Sequence, residues 1–191
     1  MHRVEFYKKR GFTVESFMTE LRYYSVDHAK LAASLKLEDD ANIIVKPYSE
    51  EMLQAVLDYD KSIAGQDRGD YLRPCLQAYK KLVFVATDAE GKLTGYVVAI
   101  NMTGEVSYGI FPLYGDTEQV QSDLMRQVLM ALPNGSKITF YTPDNNAPVA
   151  RMIEALGAKT VLNSKRLYTK HEVKLPFKKV GSVLNYVAFG I

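Results

Sequence analysis

The chain has 191 residues, 47% of them hydrophobic and 24% charged, with a net charge of +2. That balance suits one soluble globular domain, or one domain with a fragment of another, and provides no field that singles out nucleic acid or a membrane. A single cysteine excludes an internal disulfide; with no apolar leader in MHRVEFYKKRGF and no run long enough to span a bilayer, a cytoplasmic location is expected.

In chain order, residues 1–9 read as the end of a helix closed by Gly11, and Thr13–Val26 as one or two strands. His28–Leu37 suits a short helix, and the acidic link Glu38-Asp39-Asp40 marks a boundary, dividing the chain into 1–38 and 39–191. Ile43–Val45 is a strand ended by Pro47, and Ser49-Glu50-Glu51 opens a helix with Met52, Val56, Leu57 and Ile63 inward. Gly65–Gly69 breaks it before a second helix from about Asp70, whose apolar stripe carries Cys75 as a buried, inert thiol. Leu82–Thr87 and Leu93–Met102 form a hairpin through Asp88-Ala89-Glu90-Gly91.

The stretch from Gly104 to Leu132 organises the rest. Glu105–Phe111 has strand composition and is expected to stop at Pro112, which cannot donate to a ladder. The following helix sets Val120, Leu124, Val128, Leu129 and Leu132 on one face, with Gln, Ser, Asp and Arg on the other. A helix entered from a strand points its unpaired N–H groups into the loop, which suits an anion such as a pyrophosphate. The loop here, Leu113 to Glu118, has one glycine, two acids and no basic residue. Asp116 with Gln119 reads equally as an N-cap and capping box, in which case a carboxylate takes the amides a phosphate would need. Strand Ile138–Thr142, a helix capped at Asn145/Asn146 and ended by Gly157, and strands Val161–Thr169 and Val180–Phe189 complete the chain. The order predicts an α/β (α+β) fold: a mixed, mainly antiparallel sheet with helices on both faces.

Two stretches align on their glycines, Val4–Phe12 and Ala150–Ala158, each a helix end followed by a strand bearing Arg22-Tyr23-Tyr24 or Arg166-Leu167-Tyr168. A period this long suggests a duplicated domain whose first copy survives as a tail, although helix-glycine-strand junctions are common enough to recur by coincidence.

These residues resemble the GNAT superfamily of acyl-CoA-dependent N-acetyltransferases. FYKKRGF is similar to that family's closing motif, Asn146–Gly157 to a second copy of it, Ile110-Phe111-Pro112-Leu113-Tyr114 to the lead-in to its pyrophosphate loop, and Gly91–Val97 to its central hairpin. GQDRGDYL, FPLYGD and RLY look like the C-terminal domain of tandem GNAT proteins. The resemblance implies acetyl-CoA as cosubstrate, held by Ile110, Tyr114, Gly115, Asp116, Thr117 and Asn146, and an amine acceptor, either a small molecule or a protein. It implies that Asp67, Arg68 and Asp70 border the acceptor pocket, where Arg68 either fixes a carboxylate or simply pairs with Asp67 or Asp70.

Transfer needs a base, for which Glu105 is the candidate, and an acid for the thiolate, for which Tyr108 and Tyr168 are candidates. Each has a plain structural alternative, as a solvated strand end or as core aromatics. Two departures from the family pattern stand out: the loop lacks its basic and glycine positions, and the position of the closing-helix tyrosine holds Ile153, which cannot donate a proton. A catalytically inactive ligand-binding or interaction module on the same fold is therefore the alternative. The three histidines are scattered, so no metal is expected. If residues 1–38 complete the sheet of a neighbouring copy, a homodimer follows.

Overall fold

The computed structural model describes residues 2–34, 42–102 and 106–183; the acidic link 38–40, Glu105 and the expected strand beyond 183 lie outside the described residues. The elements are α1 (His2–Lys8), β1 (Val14–Ser25), α2 (His28–Ser34), β2 (Ile44–Pro47), α3 (Leu53–Ala64), α4 (Gly69–Ala78), β3 (Val83–Thr87), β4 (Leu93–Asn101) and β5 (Ser107–Gly115). They continue with α5 (Glu118–Ala131), β6 (Lys137–Pro143), α6 (Ala147–Ala155), β7 (Lys159–Tyr168) and β8 (Val180–Ser182). Glycines at positive φ end α1 (Gly11), α3 (Gly65) and α6 (Gly157), as their place after each apolar stripe requires.

Among the described residues one eight-stranded sheet runs β2-β3-β4-β5-β6-β1-β7, and β8 pairs with β5 off that path. Within it β5–β6 is the parallel pair and the others are antiparallel. One face is covered by α2, α5 and α6 through Leu31, Val120, Leu124, Val128, Leu129, Val149 and Ile153. The other is covered by α3 and α4 through Val56, Leu57, Ile63, Leu72 and Leu76. Each of these side chains contributes about 1.5–3 kcal/mol by leaving water, so the two clusters rather than helix propensity hold the layers.

β1 occupies an interior position of its own chain's sheet, between β6 and β7. Its pairing with β7 is nearly self-complementary: Val14 faces Tyr168 at one end and Tyr23 faces Lys159 at the other. Counted from Gly11 and Gly157, the third position of either strand faces the eleventh of the other (Val14 with Tyr168, Thr160 with Arg22), as a local two-fold axis between the two helix-glycine-strand units demands. Arg22, 3% exposed, ties the units together by donating to Ala150 O and pairing with Glu20 and Glu154.

Three expectations are corrected. β5 does not stop at Pro112 but runs to Gly115, because a bulge absorbs the proline: Val97 faces Leu113 while Ala99 faces Ile110, leaving one extra residue on β5. The cap of α5 is Thr117, whose Oγ1 accepts from Val120 N at 3.2 Å, and not Asp116. Gln121 and Ser122 are buried rather than on the solvent face of α5.

Candidate functional site

β5 and β6 run side by side only over Ser107–Ile110 and Lys137–Phe140. Beyond the bulge β5 takes a new neighbour, and β8 enters the gap, opposite Leu113 and Tyr114 on β5. On the other wall Val183 N donates to Tyr141 O at 2.9 Å and Tyr141 N donates to Ser182 Oγ at 3.1 Å. The apex of this cleft is closed by the rings of Phe111 and Tyr141, 5.5 Å apart. Gly109 is obligatory there, since a Cβ would lie 1.9 Å from Phe111 Cζ.

The open end of the cleft meets the N-terminus of α5. Gly115 lets the helix sit close: a Cβ there would lie 2.8 Å from Gln121 Cγ and 2.9 Å from Val120 Cγ1. Two buried amides reach into the cleft. Gln121 Nε2 donates to Gly115 O at 2.9 Å and to Lys178 O at 2.7 Å. Asn146 Nδ2 donates to Val180 O at 2.8 Å, while its Oδ1 caps α6 through Val149 N at 3.5 Å. Cap and cleft functions thus coexist on one side chain, as its two chemically distinct atoms permit.

Asp116 is turned away from the helix amides. Its Oδ1 lies 3.0 Å from the Tyr59 hydroxyl and 2.9 Å from Lys179 Nζ. The helix entrance is therefore capped by a neutral hydroxyl, with the acid neutralised by a lysine from the C-terminal third. The basic residue absent from the loop in sequence arrives from elsewhere in space.

Of the expected acceptor trio, the structure keeps only part together. Arg68 turns inward, where Nε and Nη2 grip Asp60 at 2.9 and 2.5 Å and Nη2 also donates to the Tyr114 hydroxyl at 3.3 Å. Asp60 is 1% exposed and accepts in addition from the Tyr96 hydroxyl. Burial works against the charge on Arg68, but Tyr114 and Asp60 hold its proton more firmly than in water. Burial also pushes the Tyr96 and Tyr114 phenols up, reinforced at Tyr96 by Asp60 and opposed at Tyr114 by Arg68. Arg68 thus pairs with an acid, but the acid is Asp60 and neither Asp67 nor Asp70. Asp67 instead accepts from Gly69 N at 2.8 Å, opening α4, and Asp70 is exposed in its first turn.

The two tyrosine candidates for the acid lie far apart. Tyr108 lies near the start of β5, opposite Asn101 and Ile138, half-buried against the α5 side. Tyr168 ends β7 opposite Val14, with its hydroxyl 3.5 Å from Val173 O and its phenol raised by burial. Ile138 faces Tyr24, so the two tyrosines are separated along the sheet by the Val14–Tyr24 stretch, roughly 30 Å at about 3.3 Å per residue. Ile110 is fully buried under α5, as is Ile153 on α6. Cys75 is buried and its thiol is pushed up by that burial, which fits the inert role. No cluster of metal-ligating residues occurs among the described residues.

Residues that the sequence reading missed are Gln121, Asp60, Tyr59, Tyr96 and Lys179. Asp60 and Gln121 carried a signal: each falls at core-facing spacing within an apolar stripe, Val56-Leu57-Asp60-Ile63 and Gln121-Leu124-Met125-Val128. A polar group in such a stripe needs a buried partner. Lys179 carried only its place among the lysines of the last third of the chain, because its partner lies on a distant loop.

A family model described as an acetyltransferase (GNAT) domain matches residues 56–180. The holothin acyltransferase of Pseudoalteromonas sp. (strain SANK 73390) is 22% identical over 168 residues, covering 88% of this chain and 53% of that protein. Among solved structures, a putative acetyltransferase from Pyrococcus horikoshii superposes with a TM-score of 0.65 at 16% identity, over 97% of this chain and 56% of that one. A tandem GNAT protein from the clavulanic acid biosynthesis pathway gives a TM-score of 0.53 at 16% identity, over 79% of this chain and 51% of that one. The chain thus spans about half the length of each of these relatives.

Proposed function

The chain belongs to the GNAT acetyltransferase family, and from that premise we propose that it is an acyl-CoA-dependent N-acyltransferase moving an acetyl group from acetyl-CoA to a small amine or a protein amine. The observation that carries this reading is the cleft between β5 and β6. It ends on a helix N-terminus capped by a hydroxyl, and it presents two buried side-chain amides that hold a main chain. The pantetheine arm of CoA is itself an amide chain with carbonyl acceptors, so Asn146 and Gln121 match its chemistry. The backbone from Tyr114 to Thr117 would take the pyrophosphate. Ile110, buried under α5 where β5 and β6 are last paired, would support the cleft from behind its apex.

In this reading Glu105 is the base, and the acid is Tyr108 or Tyr168, never both, since the sheet separates them. The phenol of Tyr168, raised by burial, keeps its proton for donation. Asp67 and Asp70 border the amine, and Arg68 supports that loop from beneath. The reading keeps the protein in the cytoplasm and away from nucleic acid and membranes; no helix among the described residues is long and apolar enough to cross a bilayer. Residues 1–38 are then the tail of a first repeat, a view supported by the two-fold pairing of β1 with β7. Calorimetric titration and thermal shift with CoA and acetyl-CoA test the proposal. Heat and a raised Tm are expected, and neither at millimolar ligand would overturn it.

A second reading, a GNAT-fold binding module without catalysis, is favoured by one observation: Ile153, where the family places its proton donor, is wholly buried in the core. Thioester turnover that disappears on changing Glu105, Tyr108 or Tyr168 would eliminate it. Light scattering on the full chain tests the homodimer.

A further inference from the structure

Resting on the cofactor reading above, we propose that residues 176–183 are an internal stand-in for the acyl-CoA arm, an autoinhibitory segment that must leave the β5–β6 cleft before the cosubstrate can enter. Three of the bonds that hold this segment use its main chain: Gln121 donates to Lys178 O, Asn146 donates to Val180 O, and Val183 N donates to Tyr141 O. Ser182 adds its hydroxyl, which accepts from Tyr141 N. The two carbonyls that Gln121 and Asn146 hold carry no side-chain identity, so another amide chain can accept the same two bonds.

The fit is close where the segment meets β5. A Cβ on Gly181 would lie 2.8 Å from Leu113 Cδ2 and 3.1 Å from Gln121 Oε1, and Val180 and Ser182 are fully buried. The fastening is nevertheless light for a buried strand. β8 is three residues long and is preceded by a single 3-10 turn, Phe177–Lys179. The turn is anchored by the edge-on contact of Phe177 with Phe17, 4.7 Å between centroids, and by the Lys179–Asp116 pair. The members of that pair are 42% and 32% exposed, so it contributes under about 1 kcal/mol. An occupant of this kind lowers apparent CoA affinity by the fraction of molecules in which the cleft is open.

The experiment uses two full-length variants and CoA as the titrant. Gly181→Val has no room for its side chain and is expected to expel β8, tightening CoA binding by about tenfold or more over the unaltered chain. Leu113→Cys with Ser182→Cys places thiols at facing positions of β5 and β8, within reach of a disulfide. Oxidised, this pair is expected to weaken CoA binding by about tenfold or more, and reduction is expected to restore it. A folded Gly181→Val with CoA affinity equal to that of the unaltered chain, together with a disulfide that changes nothing, overturns the inference and leaves the cofactor reading intact. If none of the folded proteins, reduced pair included, binds CoA at millimolar concentration, both fall. Should Gly181→Val fail to fold, oxidised against reduced affinity of the cysteine pair decides: a difference sustains the proposal, and equality overturns it.

Discussion

Two polar regions flank Tyr114, and they are built on opposite plans. Beneath α3 and α4, Asp60 and Arg68 form a charged pair sealed among tyrosines, with each partner specific to the other in charge and shape. On the far side, Gln121 and Asn146 offer neutral amides to whatever carbonyls lie between β5 and β6. Removing one member of a buried ion pair strands the other charge, so the first region is committed to structure. A neutral donor loses little when one carbonyl replaces another, so the second region can exchange its occupant. Charge density alone is a poor guide to a binding site.

The contrast can be broken most forcibly at Asp60. Asp60→Asn is expected to cost about 3–5 kcal/mol of stability in urea titration by leaving the Arg68 guanidinium buried without its counter-charge. A loss under about 1 kcal/mol would show that Arg68 is free for substrate and erase the distinction.

Alkali tests the same region. Burial raises the phenols of Tyr59, Tyr96 and Tyr114, which therefore bind protons more tightly folded than unfolded. Their contribution is complete below the unfolded phenol range and is lost as pH rises above about 10, by up to about 1.4 kcal/mol per pH unit for each phenol. Urea midpoints between pH 8 and 11 should fall accordingly, and a flat profile would mean that water reaches these rings.

Asn146→Asp sharpens the other side. It retains an oxygen to cap α6 but removes the donor into the cleft. CoA affinity is expected to fall by about tenfold while the far-ultraviolet dichroism is preserved. The smallest effect is expected at Lys179→Ala, where stability should change by no more than about 1 kcal/mol, less at high salt.

The fold was legible because its helices carry strong apolar stripes and its glycines fall at their ends; α5, with Val120, Leu124, Val128 and Leu129 all buried, is the clearest case. The bulge at Phe111-Pro112 was misread because proline was weighed against a regular ladder, whereas an irregular one accepts it. At the site, Asn146 was legible from its cap position. Thr117 was overlooked in favour of Asp116, since both are good caps and only backbone conformation separates them. The partners of Asp116 and Arg68 come from loops and helices that sequence spacing does not bring together, and only the closed sheet shows them.

The interior place of β1 has a consequence for the order in which the protein is made. Its strand leaves the ribosome before the other described strands of this sheet, whereas its two neighbours, β6 and β7, begin only at Lys137 and Lys159. Until Tyr23 can meet Thr139 and Lys159, both edges of β1 stay unsatisfied, and closure waits for contacts of long sequence separation. Closure of this sheet is thereby deferred until β7 has been made, and at high expression a waiting ribbon can be captured by the sheet of a sister polypeptide.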